Sequence, residues 1–178
     1  MDWRRVKADF KYIFLNGFAI YIPSWTIRKA ILKIMGMDLG RGSRIGLGTK
    51  IIQPETIHIG NRSIINEWCH LDGRGGLFIG DDVSISVYSK FVTASHKINS
   101  ATFEYFEDAT KVEERVWLGI GAIILNGSVL GRGSVIGAGC VFKGKAEPYK
   151  IYVGNPAKEI KERNRELRYQ FDYRPYFR

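Results

Sequence analysis

Residues 118–141 read LGIGAI, ILNGSV, LGRGSV and IGAGCV, so that an aliphatic residue returns at every sixth position and a small residue follows four places later. Residues 39–96 keep the same period apart from one short slip. A period of six fits neither an amphipathic helix nor the simple alternation of a strand. A fixed repeat of this kind is typical of a solenoid, whose units bury their apolar edges only by stacking on one another.

Each hexapeptide predicts one short strand and a corner, so three of them form a coil of triangular section with the aliphatic side chains stacked inside. We expect about five such coils in a repeat domain of residues 39–153, which makes the chain an all-β protein with a parallel β-helix. The predicted coils begin near Leu39, Ile59, Ile79, Leu118 and Ile136.

Both ends of the chain lack the six-residue period. Residues 1–38 have helical spacing, and Pro23-Ser24 and Gly36 suit the start and the end of a helix, so we predict an N-terminal helical cap. Residues 154–178 open with GNPAKEIKERNREL, which predicts a turn, a charged C-terminal helix and then an aromatic, basic tail.

The composition indicates one globular domain with a strong positive charge. The 178 residues carry a formal charge of +9 and a pI of about 9.6, which favours anionic ligands. Nucleic acid is the weakest candidate among these, because the basic residues are scattered and no zinc-finger, RNA-recognition or helix-turn-helix signature is present. No stretch approaches the roughly 20 apolar residues that span a bilayer.

The aromatic N-terminal segment has two interpretations. Arg4, Arg5, Lys7 and Lys11 beside the aromatic residues would suit peripheral binding to an anionic membrane. The preferred interpretation is that N-terminal helices cover the open end of the solenoid, because solenoid ends need a cap.

The two cysteines indicate the compartment. Cys69 and Cys140 both occupy the small, inward-facing place of a hexapeptide, three coils apart. At roughly 4.8 Å per coil they would lie about 14 Å from each other, beyond the reach of a disulfide. We therefore expect buried free thiols and a cytoplasmic protein, peripheral to the inner face of the membrane if the N-terminus binds lipid.

The repeat stops after His96, and residues 97–115 contain no six-residue pattern that would stack. This segment is predicted to project as a loop, and projecting loops on rigid scaffolds are where functional residues concentrate. His96 stands where the repeat ends, whereas His58 and His70 lie within the repeat. His96 is therefore the histidine singled out for a direct role.

The hexapeptide runs, the segments VWLGIGAIIL and VIGAGCV and the closing GNPAK resemble the hexapeptide-repeat acyltransferases. Within that family the chain is most similar to the maltose, galactoside and nodulation-factor O-acetyltransferases and to the acetyltransferases of surface polysaccharides. The resemblance covers about residues 39–163. It implies a left-handed helix, which the period alone does not fix, and a homotrimer with active sites between neighbouring subunits.

The resemblance implies transfer of an acetyl group from acetyl-CoA to a sugar hydroxyl in exopolysaccharide, capsule or lipopolysaccharide assembly, with a sugar, nucleotide sugar or polysaccharide as acceptor. By matched position, His96 is the general base that removes the hydroxyl proton, and direct transfer needs neither a nucleophilic side chain nor a metal. Asn66 is implied as a positioning donor and Asp72 as an acceptor for sugar hydroxyls. Alternatively, Asn66 satisfies its own corner and Asp72 caps the turn after it.

Coenzyme A needs backbone hydrogen-bonding groups along its pantetheine arm and basic side chains at its phosphates. By matched position, Ile120 and Ala138 are implied to offer main-chain groups to the arm. Lys143, Lys158 and Lys161 are the candidates for the phosphates, unless they only make the C-terminal end soluble.

Two other functions remain open. A non-catalytic trimeric scaffold would bind an anionic surface or polymer through its positive charge, and it would not bind coenzyme A. A zinc enzyme of the carbonic anhydrase type needs three metal-binding histidines, two of them closely spaced. His58, His70 and His96 are twelve and twenty-six residues apart, which makes this site the weaker alternative.

Overall fold

A computed structural model of the protein describes residues 2–172. Two helices, α1 (Trp3–Gly17) and α2 (Trp25–Ile34), flank a short 3-10 turn (Ala19–Tyr21) and precede the strands. The strands are β1 (Asp38–Leu39), β2 (Arg44–Ile45), β3 (Lys50–Ile52), β4 (Ile57–Ile59), β5 (Ile64–Ile65), β6 (His70–Asp72), β7 (Leu77–Ile79), β8 (Ser84–Ile85), β9 (Lys90–Val92), β10 (Ala94–His96), β11 (Tyr105–Glu107), β12 (Thr110–Val112), β13 (Trp117–Leu118), β14 (Ile123–Leu125), β15 (Val129–Leu130), β16 (Val135–Ile136), β17 (Val141–Phe142), β18 (Lys145–Ala146), β19 (Lys150–Val153) and β20 (Lys158–Glu162).

Three parallel sheets form the walls of a β-solenoid. Sheet 1 has the order β1-β4-β7-β12-β15-β18, sheet 2 the order β2-β5-β8-β13-β16-β19-β20, and sheet 3 the order β17-β14-β9-β6-β3. The chain therefore makes five complete coils, and a sixth supplies strands to two walls only. The predicted parallel β-helix is confirmed, and its architecture is consistent with the left-handed helix that the resemblance implies.

In sheet 3, one large apolar side chain of each strand points into the solenoid and stacks on its equivalents in the neighbouring coils. This column is fully buried, with at most 3% of any side chain exposed, and comprises Ile51, Leu71, Phe91, Ile124 and Phe142. The small residues close the corners between sheets. Ser63 shows how: its Oγ donates to the Gly80 carbonyl at 2.6 Å and accepts the Val83 N–H at 3.0 Å.

The predicted N-terminal helices are present and cover the first coil. Leu15 and Leu32 join the buried core. The Asn16 side chain donates to the Ile51 carbonyl and accepts the Ile51 N–H, both at 2.8 Å. This amide therefore satisfies the exposed edge of β3 as a further strand would. Among the described residues, neither helix combines the length and the hydropathy that a bilayer span requires.

The projecting segment is shorter than predicted. From Ala94 the chain forms an antiparallel hairpin, β10 with β11, and it rejoins the solenoid at Thr110 rather than after residue 115. The fourth coil therefore starts with β12, and Leu118 lies in sheet 2 instead of beginning a coil. The strand was missed because charged residues surround its buried Val112, which hides the hexapeptide pattern.

The predicted C-terminal helix is wrong. The chain turns at residues 154–157 and then runs as β20, antiparallel to β19. The segment is rich in helix-forming residues but has no apolar face to pack as a helix. The unpaired edge of β19 offers a row of hydrogen-bonding groups, and pairing with that edge overrides the helix propensity. Lys150 contacts Glu159 and Glu162, each at 2.9 Å, which adds ion pairs to this strand pairing. Most of the predicted aromatic tail, residues 173–178, lies outside the described residues.

Candidate functional site

His96 is the last residue of β10 and lies in register with Tyr105 across the hairpin. Its Nδ1 is 2.8 Å from the Phe103 carbonyl oxygen. A carbonyl oxygen only accepts hydrogen bonds, so Nδ1 carries the proton of the neutral imidazole and Nε2 keeps its lone pair. The hairpin thus fixes the tautomer that a general base requires.

Two aromatic rings hold the imidazole plane. The Phe103 ring stacks on His96 with centroids 3.9 Å apart and an interplanar angle of 12°. Tyr105 meets the same ring edge-on at 5.5 Å. Phe103 adopts a left-handed backbone with φ of 51°, an unfavourable conformation for an aromatic residue, in the turn that aims its carbonyl at Nδ1. The hydrogen bond therefore restricts the tautomer of His96, and the two rings restrict the orientation of its imidazole.

Asp72 anchors the base of the hairpin. Its fully buried carboxylate accepts both ends of the Arg74 guanidinium, at 2.9 and 3.0 Å, together with the N–H groups of Arg74 and Thr93. Burial alone would raise the pKa of Asp72, but these hydrogen bonds outweigh it and lower that pKa. Because both oxygens are occupied in this way, the geometry favours the alternative in which Asp72 caps its turn.

Arg74 links this anchor to the hairpin. Its guanidinium also interacts with the Tyr105 side chain, whose hydroxyl donates to Glu107 at 2.5 Å. Burial and this hydrogen bond to Glu107 raise the pKa of Tyr105, so the phenol stays protonated. A continuous set of contacts therefore runs from Asp72 in the second coil through Arg74 and Tyr105 to the ring of His96.

Asn66, Ile120 and Ala138 lie together on a different edge, at the corners between sheets 2 and 3. The Asn66 amide donates to the Ile85 carbonyl at 2.9 Å, which satisfies its corner and leaves Oδ1 as an acceptor. The Gly139 N–H donates to the Ile120 carbonyl at 2.8 Å, which stacks the corners of the fourth and fifth coils. Among the described residues, no backbone acceptor pairs with the N–H of Ile120 or Ala138.

The three candidate lysines are exposed but do not form one cluster. Lys143 follows β17 at the corner between sheets 3 and 1. Lys158 and Lys161 lie on β20, opposite Val153 and Ile151 of β19. All three are near the C-terminal end of the solenoid, on two of its edges.

The structure thus divides the predicted site residues between the two edges of sheet 3. His96 and Asp72 belong to the edge facing sheet 1, whereas Asn66, Ile120 and Ala138 belong to the edge facing sheet 2. Over the described residues, the hydrogen bond and the two ring contacts of His96 are made within its own hairpin. One chain therefore presents two half-sites rather than one assembled site.

The other histidines take no part in this arrangement. His58 lies in sheet 1, stacked on Phe78 at 5.0 Å, and His70 lies in sheet 3, where burial lowers its pKa. Within residues 2–172, no group of three or more His, Cys, Asp or Glu side chains is placed to hold a metal ion.

Sequence reasoning missed Arg74, Phe103 and Tyr105. Arg74 was overlooked because its glycine neighbours indicated only a turn. Three aromatic residues within the polar segment ATFEYFE were the available signal for the others, since an exposed loop has little reason to carry them unless they pack on something. Their partner, the imidazole, became apparent only from the hairpin register.

Comparisons with known proteins agree with this architecture. A family model described as bacterial transferase hexapeptide (six repeats) matches residues 109–144. The dTDP-4-amino-4,6-dideoxy-D-glucose acyltransferase of Escherichia coli is 30% identical over 168 residues, which cover 76% of this chain and 88% of that protein. The putative lipopolysaccharide biosynthesis O-acetyl transferase WbbJ of E. coli K12 is 27% identical, with 71% and 70% covered.

A solved structure shares the fold over nearly the whole chain. The hexapeptide-repeat acetyltransferase of Vibrio cholerae, complexed with acetyl coenzyme A, has a TM-score of 0.79 at 24% identity, covering 90% of this chain and 87% of that one. The chain spans only 58% and 53% of the length of two further curated relatives, both described as acetyltransferases.

Proposed function

The chain belongs to the hexapeptide-repeat acyltransferases, and we propose that it transfers an acetyl group from acetyl-CoA to a sugar hydroxyl. The observation that carries this proposal is the fixed state of His96, whose Nδ1 is held by the Phe103 carbonyl at 2.8 Å. A histidine in a projecting hairpin whose Nδ1–H is held by a backbone carbonyl presents Nε2 to the acceptor, which suits the removal of a hydroxyl proton.

The proposed chemistry is direct transfer. Bound acetyl-CoA supplies an activated thioester carbonyl. Nε2 of His96 accepts the proton of the acceptor hydroxyl as its oxygen attacks that carbonyl, and the Phe103 carbonyl on Nδ1 stabilises the resulting imidazolium. The carbon–sulfur bond then breaks, and the leaving thiolate of coenzyme A takes the proton back from Nε2. Cys69 and Cys140 are buried, and burial raises the pKa of both thiols, which fits a mechanism without a cysteine nucleophile.

The corner between sheets 2 and 3 fits the pantetheine arm of coenzyme A. The unpaired N–H groups of Ile120 and Ala138 repeat at consecutive coils, which would place donors along an extended chain of amides. Lys158 and Lys161 lie beyond this corner at the C-terminal end, where we place the phosphates, and Lys143 is the candidate from the opposite edge.

We assign the complete site to the cleft between two copies in a homotrimer. The two half-sites on opposite edges of sheet 3 support this assignment, because a neighbouring copy would bring its own edge against the hairpin. Light scattering of the protein should then give three times the mass of the 20.3 kDa chain.

The acceptor is proposed to be a sugar, nucleotide sugar or polysaccharide in exopolysaccharide, capsule or lipopolysaccharide assembly. The names of the two E. coli relatives support a sugar acceptor, one as an amino-sugar nucleotide and one in lipopolysaccharide. Asn66 keeps a side-chain acceptor for this ligand, and half-exposed Trp68 offers an aromatic face close to it. Asp72 takes the role of a positioning residue for the hairpin. We place the reaction in the cytoplasm, where buried free thiols such as Cys69 persist.

The decisive experiment replaces the base. His96→Ala should reduce acetyl transfer, measured as free coenzyme A released with a panel of sugars and nucleotide sugars, by at least about a hundredfold. His58→Ala is the matched control, since it removes another partly exposed histidine that stacks on an aromatic ring, and it should retain the rate. A folded His96→Ala protein with undiminished transfer would eliminate the mechanism.

The same preparation separates the enzyme from a non-catalytic scaffold. An acetyltransferase should be stabilised against heat by coenzyme A in both the wild type and His96→Ala, because His96 does not bind the cofactor in this scheme. A scaffold that only binds an anionic surface would show no thermal shift with coenzyme A.

A further inference from the structure

The N-terminal helix α1 exposes an apolar stripe that its own solenoid leaves uncovered. Trp3, Phe10, Ile13 and Phe14 have 67%, 73%, 64% and 40% of their surface exposed. Their spacing of three, four and seven residues places them on one side of a helix. An exposed stripe of this size on a soluble surface marks a site of interaction.

This stripe is not the face that packs on the protein. Leu15 is 2% exposed and belongs to the core, and Lys11, one turn before it, reaches Glu55 at 2.9 Å. At 100° per residue, Leu15 lies roughly opposite the centre of the stripe, near Phe10 and Ile13. The helix is thus apolar on two sides, of which only one is used by the fold.

The second helix repeats the pattern. α2 buries Trp25 and Leu32 against the first coil, while Ile27 and Ile34 on its other side are 51% and 86% exposed. Both helices of the cap therefore present large apolar side chains away from the solenoid.

Basic residues accompany these apolar side chains. Residues 2–37 contain seven Lys or Arg against two Asp. Lys7 and Lys33 are exposed on the two helices. Aromatic and aliphatic residues on one face with Lys and Arg beside them form the pattern of helices that lie in the interface of anionic membranes.

We propose that the outward faces of α1 and α2 dock on an anionic lipid surface. The charge of the cap itself favours an anionic surface as the occupant, because residues 2–37 carry seven Lys or Arg against two Asp. If the cap docks in this way, the solenoid projects from the bilayer and the edge that carries the hairpin stays accessible. The inference is independent of the proposed acetyl transfer, since it rests on a different part of the molecule.

Co-sedimentation of the full chain with lipid vesicles tests the proposal. The wild type should bind vesicles containing about one third phosphatidylglycerol, and bind pure phosphatidylcholine at least about tenfold more weakly. The double variant Phe10→Ser, Ile13→Ser should lose about tenfold or more in binding to the anionic vesicles. Ile98→Ser with Ile160→Ser removes two exposed apolar side chains elsewhere, 96% and 55% exposed, and should bind as the wild type does.

A charge pair completes the test. Lys7→Glu with Lys33→Glu should weaken binding to the anionic vesicles several-fold, whereas Lys111→Glu on sheet 1 should not. Wild-type protein that fails to sediment with anionic vesicles overturns the proposal. So does a change of mass in light scattering for Phe10→Ser, Ile13→Ser, which would show that another copy covers the stripe. Acetyl transfer to a soluble sugar should be unchanged in that variant, so a failure of membrane docking remains distinct from a failure of the catalytic proposal.

Discussion

Arg74→Ala should loosen the hairpin that carries His96 and destabilise the whole protein. The substitution removes two charge-assisted hydrogen bonds to Asp72, at 2.9 and 3.0 Å, and the contact with Tyr105. Hydrogen bonds to charged groups contribute about 1.5–3 kcal/mol each. The Arg74 side chain is 35% exposed, and Asp72 keeps two backbone N–H donors, so water and these donors offset part of the loss. We expect unfolding to be easier by about 2 kcal/mol, or about 4–8 °C in Tm.

The effect of Arg74→Ala on catalysis should be confined to kcat. A displacement of the hairpin misplaces Nε2 of His96, and misplacement by about 1 Å can cost a hundredfold in rate, so we expect kcat to fall about tenfold. Ile120 and Ala138 lie on the other edge of sheet 3 and should hold acetyl-CoA as before. KM for acetyl-CoA should therefore change little. A substitution that only destabilised the protein would not be expected to lower kcat while leaving KM unchanged.

The pH dependence of stability provides a second measurement. Asp72 has a lowered pKa in the folded chain, so its contribution is present above the unfolded value of about 3.9 and is lost as the pH falls through the folded pKa. In Arg74→Ala the folded pKa of Asp72 rises. The difference in the free energy of unfolding between wild type and variant should thus stay constant near neutral pH and become smaller below about pH 4.

The matched control is Arg132→Ala, which breaks an ion pair with Glu114 in which both side chains are exposed. Such a pair contributes about 0–1 kcal/mol, so urea titration should find little change in the free energy of unfolding. If Arg74→Ala were no more destabilising than Arg132→Ala, or if its difference from wild type in the free energy of unfolding stayed constant down to pH 3, the anchoring role of Asp72 and Arg74 would be refuted.

Two further predictions concern the solenoid interior. Ile124→Ala leaves a cavity at a fully buried position in sheet 3 and should lower the free energy of unfolding in urea by about 3 kcal/mol. Ile98→Ala, at a position 96% exposed, should lower it by under about 0.5 kcal/mol. Equal losses in the two variants would contradict the stacked core. Burial raises the pKa of Cys69 to about 12 and also raises the pKa of Cys140. Neither thiol should therefore react with a disulfide reagent at pH 8 in the native protein, whereas both should react in guanidinium. Rapid labelling of the native protein would show that the interior opens.

The solenoid was predictable from sequence because each hexapeptide repeats one local solution, and stacking leaves few ways to combine such units. Prediction failed where a strand gained its stability from pairing rather than from its own pattern. β12 contains only one buried valine among charged residues, and β20 has no buried residue at all. In both cases the open edge of a neighbouring strand decides the structure, and an edge is a property of the assembled coil.

The candidate site divided in the same way. His96 was singled out because it stands where the repeat ends, a signal present in the sequence itself. Arg74 and Tyr105 were not, because they are thirty-one residues apart in the chain and meet only once the hairpin folds back over the turn after Asp72. Contacts between distant segments carry no periodic signal, so an alternation or a motif cannot reveal them.

The anchoring of the hairpin bears on how one scaffold can serve different acceptors. Asp72, Thr93 and Arg74 fix the hairpin at its root, and His96 is the last residue of β10, paired with Tyr105 next to the loop. The tip lies beyond it, where Ile98 is 96% exposed and Phe103 supplies the carbonyl that sets the tautomer. Substitutions between these two residues can therefore alter the surface that meets an acceptor while the base keeps its position. In the proposed mechanism, a histidine held by Phe103 and Tyr105 would keep proton removal separate from the choice of sugar, which the residues between Ile98 and Phe103 would set.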